Sequence, residues 1–148
     1  MAKKYAGKLA KHPDNSEKRS ALTTMKDKQK EKTRIRKRIK QRIRKKITGT
    51  PDRPRLVVFR SNRNITAQLV DDINHKTLTT TTSTAKKYDD FKQSHSGSID
   101  LCFKIGQDTA ESAKKLNITQ VVFDRNGYQY HGRIKAVAEG ARDSGLQF

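Results

Sequence analysis

The sequence predicts an α/β domain: a small mixed sheet packed with two helices, preceded by a basic helix and a flexible arm. Three observations lead there. Three short strand-like runs follow one another between Arg55 and Thr82, separated by turn-forming residues. From Ile99 the apolar period lengthens to that of a helix, and Gln120 to Asp124 (QVVFD) then forms a short, largely apolar strand before a second helix. A buried strand entering directly after a helix is the second half of a βαβ crossover, so this strand should lie parallel to an earlier one.

Residues 1–33 are polar and lysine-rich, with almost no apolar periodicity. They bury too little surface to offset the entropy of ordering, and a flexible extension is expected. Residues 34–50 form the basic helical arm. In Arg34 to Ile47, nine of fourteen residues are Arg or Lys, and Ile35, Ile39, Ile43 and Ile47 recur at intervals of four. That spacing sets the isoleucines in one drifting row, a narrow apolar seam on a cationic helix. Like charges such as Arg34, Arg38 and Arg42 repel along it, so full ordering should need a polyanion. Thr48-Gly49-Thr50-Pro51 ends the helix and Asp52-Arg53-Pro54 is a stiff connector.

Residues 51–148 are expected to form the α/β domain. Arg55 to Arg60 (RLVVFR) is apolar at both alternating sets of positions, as in a central strand buried on two sides. Ser61 to Asn64 turns the chain into Ile65 to Val70, making a hairpin, and Asp71 to Lys76 turns it again. Thr77 to Thr82 is β-branched but weakly apolar, which suits an edge strand. Residues 85–98 carry turn formers and are expected to be mostly loop. In the helix that follows, Ile99, Phe103, Gly106, Ala110 and Ala113 share a face flanked by Cys102 and Leu116, and the small residues should let it lie close to the sheet. Asn117 suits its C-cap. After the turn at 125–128, a last helix runs from about Tyr130 to Asp143, with Ile134, Val137, Ala138 and Ala141 inward and Ser144-Gly145 at its end.

The chain of 148 residues carries a formal net charge of +19, of which residues 1–50 hold +15. Such an excess calls for an anionic partner: nucleic acid, an anionic membrane surface or an acidic protein. A membrane or calmodulin-like target usually meets a wide face of Leu, Phe or Trp, and one isoleucine seam is meagre beside it. No apolar run has signal-peptide or transmembrane length, and the single cysteine, Cys102, reads as core. No Cys/His cluster has metal-site spacing; His12, His75 and His95 read as surface residues.

Three groups of residues are candidate RNA contacts. The first is the basic helix, with Arg34, Arg36, Lys37, Arg38, Lys40, Arg42, Arg44, Lys45 and Lys46. A solvated charge face normally mixes both signs, whereas residues 32–46 contain no acid, so phosphate contact is favoured. The second comprises Arg55, Arg60, Ser61, Asn62, Arg63 and Asn64 around the first strand and its turn; arginines there could merely solubilise the strand ends, but guanidinium forks to phosphate or guanine and turn amides to sugar hydroxyls are favoured. The third is Arg125, Tyr128, Tyr130, His131 and Arg133, basic and aromatic side chains interleaved before a helix, offering flat faces for bases and donors for phosphate. Its alternative is one core tyrosine and a neutral histidine.

The blocks GTPDRPRLVVFRSNRNITAQLVDD and QVVFDRNGYQYHGRIKAVAEGARDSGLQF closely resemble the bacterial-type eighteenth protein of the large ribosomal subunit, and the likeness spans roughly Arg34 to Phe148. The resemblance implies a ribonuclease H-like fold and a structural, non-catalytic role. Its implied partners are 5S rRNA in the central protuberance, 23S-type rRNA and neighbouring large-subunit proteins. It implies no cofactor, metal, membrane or small-molecule substrate. The place of action would be the cytoplasmic ribosome or that of an organelle. The family commonly has two glycines after VVFDR where this chain has Asn126-Gly127; Asn also accepts a left-handed backbone. Residues 1–33 and Thr77 to Ser98 fall outside the good match.

The runner-up is a general basic RNA chaperone using the same helix without a fixed site. A nuclease of ribonuclease H-like architecture would hold metal with carboxylates beginning on the first strand, and RLVVFR has none; Asp71-Asp72 lies in a turn and Asp124 at another strand's end. Asp124 fits better as a partner that orients a neighbouring arginine or caps the turn.

Overall fold

The computed structural model describes residues 15–89 and 99–148, with side chains from residue 24 onward. Residues 1–14 of the expected flexible extension, residues 90–98 of the expected loop, and His12 and His95 lie outside the described residues. The chain divides into two units, Met1–Ile35 and Arg36–Phe148.

The first helix, α1, spans Asn15–Arg44 and so begins nineteen residues before the predicted Arg34. Residues 15–33 of the expected flexible extension are therefore part of this helix. The physical reason is intrinsic propensity: Ala21, Leu22, Met25 and a run of Lys, Gln and Glu favour a helix without needing an apolar face. Opposite charges one turn apart add to it, Asp27 with Lys30 at 4.0 Å and Glu31 with Arg34 at 3.9 Å.

The second unit holds a four-stranded mixed sheet with strands in the order β3-β2-β1-β4. Here β1 is Arg55–Arg60, β2 Ile65–Asp71, β3 Lys76–Thr82 and β4 Val122–Asp124. Antiparallel pairing runs from Arg55↔Val70 to Arg60↔Ile65 and then between β2 and β3, so β3 is the expected edge strand. β4 pairs parallel to β1, as the crossover rule requires. Helix α2 (Ile99–Lys114) and helix α3 (Arg133–Asp143) cover one face, where Leu56, Val58, Ile65, Ala67 and Leu69 meet Leu101, Cys102, Ile105, Ile134 and Val137. Cys102 is buried, and burial pushes its thiol up to about 11.

Three local features differ from expectation. β1 is not buried on both faces along its length: Leu56 and Val58 are inaccessible, whereas on the other face burial fades from Arg55 through half-buried Val57 to Phe59, which is 50% exposed. Both helices pack on the Leu56 and Val58 side, and the other side opens to a basin lined by Lys40 and Arg44. Gly106 serves helix-on-helix rather than helix-on-sheet contact, since a Cβ there would collide with the Val137 carbonyl, and one at Gly140 with that of Phe103. α3 also starts at Arg133, after Gly132, rather than near Tyr130.

The turns follow the sequence closely. Asn117 and Asn126 adopt the left-handed φ values of 57° and 54° that asparagine tolerates. The Ile118 N–H returns to the Ala113 carbonyl at 3.0 Å, closing the end of α2. The C-terminal residues lie beside β4, with Gln120 bridged to Gln147.

Candidate nucleic-acid interface

A buried charge network underlies the site. Hairpin register sets Arg55 opposite Val70, which brings Asp72 next to Arg55, and parallel register brings in Asp124 from β4. Arg55 donates from Nε at 2.7 Å and Nη2 at 2.6 Å to Asp72, and from Nη1 at 3.1 Å to Asp124. Asp72 also accepts the Gly49 N–H at 2.9 Å, and Arg44 approaches it at 3.9 Å. Hydrogen bonding to Asp72 raises the Arg55 pKa further, against the opposing effect of burial.

This placement corrects one candidate. The Arg55 side chain is only 2% exposed and its donors are committed to Asp72 and Asp124, so it belongs beneath the interface rather than on it. Asp124 takes the role its position predicted: its Oδ2 holds Arg55 and its Oδ1 accepts the Asn126 N–H at 2.7 Å. Asp71 caps its own turn, accepting the N–H groups of Ile73 and Asn74.

The network makes acid stability testable. The hydrogen bond from Arg55 holds the Asp72 carboxyl down to about 2, from an ordinary 3.8, despite the opposing effect of burial. A carboxyl with a depressed folded-state pKa stabilises above its unfolded value and loses that contribution as pH falls through the folded one. On the order of 2 kcal/mol should therefore disappear between pH 4 and pH 2. Urea unfolding across that window should show Asp72→Asn to be less stable at neutral pH, with a shallower acid decline than the parent.

Tyr128 ties three segments together. It is 7% exposed, not the open stacking platform the sequence allowed. Its hydroxyl donates to the Arg60 carbonyl at 2.7 Å and accepts from the Arg60 N–H at 3.3 Å and Arg36 Nη1 at 3.0 Å. The guanidinium carbons of Arg36 and Arg60 lie 4.9 and 5.4 Å from its ring centre, within cation–π range. Gly127, at φ 79°, lets the helix backbone approach, because a Cβ would meet the Arg36 carbonyl at 2.5 Å. α1 is thus held at Arg36 by the 125–128 turn, and the chain just beyond its end is held at Gly49 by Asp72.

Around that fastening the candidates sort by exposure. Lys37, Arg38, Arg42, Arg44, Lys45 and Lys46 are exposed, while Arg36 and Lys40 are half-buried on the side toward the sheet; Ile39, Ile43 and Ile47 are half-buried too. Arg34 is exposed and falls in the first unit, as does Ile35, which is 47% exposed. Arg60, Asn62 and Arg63 are exposed at the β1–β2 turn. Ser61 and Asn64 instead hold the turn: Ser61 Oγ accepts the Asn64 N–H at 2.8 Å, and Asn64 Oδ1 accepts from Ser83 Oγ at 3.3 Å. Arg133 donates to the Asn62 carbonyl at 3.1 Å, joining the turn to α3, and Arg125 donates to the Tyr128 carbonyl. His131 is exposed.

Tyr130 departs from this group. It points to Phe123, whose ring centre is 6.1 Å away, and accepts a hydrogen bond from Arg142 at 2.8 Å. Phe59 is the residue the sequence reading missed. It shares a shallow basin on the open sheet face with Val57, Gln68, Val70, Lys40 and Arg44. The signal for it was that side chains along RLVVFR point alternately to the two faces, setting Phe59 opposite Leu56 and Val58, while the sequence offers only two helices to cover the sheet.

The family model for ribosomal L18 of archaea, bacteria, mitochondria and chloroplasts matches residues 28–148. The large ribosomal subunit protein uL18 of Listeria monocytogenes is 50% identical over 103 residues, covering 70% of this chain and 83% of that protein. Those of Bacillus cereus and Lysinibacillus sphaericus are each 48% identical over the same coverage. With a clamped cationic helix beside a mixed α/β sheet, and with this extent of matching sequence, the chain belongs to the ribosomal L18 family of structural proteins of the large ribosomal subunit.

Proposed function

We propose that this chain binds 5S rRNA and helps attach it to the rest of the large subunit in the central protuberance, with 23S-type rRNA and neighbouring large-subunit proteins as further partners. One observation carries the binding surface: the acid-free segment of α1, the β1–β2 turn and the 125–133 loop converge through Tyr128. Lys37, Arg38, Arg42, Lys45 and Lys46 supply phosphate contacts and hence affinity. Arg60, Asn62, Arg63, Arg125, His131 and Arg133 supply contacts whose fixed spacing discriminates one RNA shape from another. Phe59 adds a flat apolar face beside Lys40 and Arg44. The choice of 5S rRNA as the partner rests on the family likeness of the PRLVVFRSN, VVFDR and YHGR blocks.

Competition tests it. The full chain on labelled 5S rRNA should resist a large excess of unrelated folded RNA of equal length, and its preference should persist as salt is raised. Equal displacement by both RNAs would favour the general RNA-chaperone reading. Arg133→Ala should weaken 5S binding more than nonspecific binding, because it frees the Asn62 turn; equal loss in both would remove the loop from the specific surface.

A further inference from the structure

Residues 1–27 precede the stretch matched by the family model, yet α1 passes through that boundary without a break. Residues 24–35 of that helix expose every side chain, and Met25 is 68% exposed. At about 100° per residue, Lys26, Lys30 and Arg34 form one row, while Lys28 and Lys32 form a second on roughly the opposite side. Asp27 and Glu31 lie between the rows, within ion-pair reach of Lys30 and Arg34. Met25 and Ile35 sit about 80° apart, so they make no apolar stripe for a protein groove.

A helix with cations on two opposite sides is poorly matched to a single flat anionic surface, which one row would satisfy. The grooves of A-form RNA fit no better: the major groove is deep and narrow, too tight for a helix about 10–12 Å across, and the minor groove is shallow, so it meets one side of a helix and not two. Two phosphate backbones facing each other across a cleft do fit. We propose that residues 24–35 lie between two packed RNA helices of the large subunit, with Lys26, Lys30 and Arg34 toward one backbone and Lys28 and Lys32 toward the other. This rests on membership of the ribosomal family and is independent of which surface binds 5S rRNA.

Directed cleavage tests it in the full chain. Cys102 is buried, so Thr33→Cys and Ile35→Cys, about 160° apart on exposed positions, each offer one reactive thiol for a tethered hydroxyl-radical source. After reconstitution into large subunits, the two probes should cut different rRNA helices. Cuts confined to one helix, or none from an incorporated protein, would overturn the proposal. In parallel, Lys26→Gln with Lys30→Gln, and separately Lys28→Gln with Lys32→Gln, should each reduce the salt slope of subunit association by about two. A loss from one row only would also overturn it. The same variants should keep their preference for 5S rRNA; if the parent chain lacks that preference, it is the 5S assignment that fails.

Discussion

Arg55→Met should destabilise the protein by about 3–5 kcal/mol, because it leaves Asp124, whose side chain is 0% exposed, without its cationic partner in the sheet. Asp72 loses its two shortest hydrogen bonds at the same time. For a domain of this size the melting temperature should fall by roughly 10–20 °C. Arg55→Lys should fall between parent and Met variant, since an ammonium keeps the charge but cannot fork to two carboxylates. Arg60→Ala, five residues along the same strand, removes an exposed side chain and should cost less than about 1 kcal/mol. Thermal unfolding of the three variants separates a buried structural arginine from an exposed one. Comparable losses for Arg55 and Arg60 would contradict that division.

The second large effect is on binding. Replacing Lys37, Arg38, Arg42 and Lys45 together by glutamine should leave folding intact, because their side chains are exposed and make no part of the Tyr128 or Asp72 fastening. Affinity for 5S rRNA should drop on the order of a thousand-fold at 0.1 M salt, and the slope of log affinity against log salt should shrink by roughly three. A variant that weakens binding without altering the slope would mean these cations are not meeting phosphate.

How much of this was legible in the sequence depends on the range of the interaction. Strands β1 to β3, helix α2 and the parallel β4 follow from alternation, turn residues and the crossover rule, all of which act over neighbouring residues. The start of α1 was missed because apolar periodicity was weighed where propensity and charge pairs decide. The isoleucine row was visible, but Ile35 proves exposed while Ile39, Ile43 and Ile47 are half-buried. The contact from Arg36 to Tyr128 joins residues 92 positions apart, and nothing local to either announces it. Arg55 looked like an RNA contact from its place at the end of the first strand and from the family likeness. Hairpin register, already implied by the Ser61 to Asn64 turn, was the clue that Asp72 would claim it.

The same geometry bears on the expectation that the basic helix needs a polyanion to become ordered. Arg36 is fastened through Tyr128, and Gly49 through Asp72, so the segment between them is held in place by the body itself. A preformed cationic ridge loses less entropy on binding than an arm that folds on its target.

The most direct measurement is equilibrium binding of three proteins, the full chain, a form beginning at Arg36 and a form beginning at Thr48, to 5S rRNA and to an unrelated folded RNA over a salt series. The form beginning at Arg36 should keep its preference for 5S rRNA at high salt, with a slope reduced only by the lost extension. The form beginning at Thr48 should bind more weakly, having lost the ridge, while retaining some preference. If removing residues 1–35 abolishes discrimination between the two RNAs, or if all three proteins bind both alike, specificity does not reside in the clamped helix and α/β body.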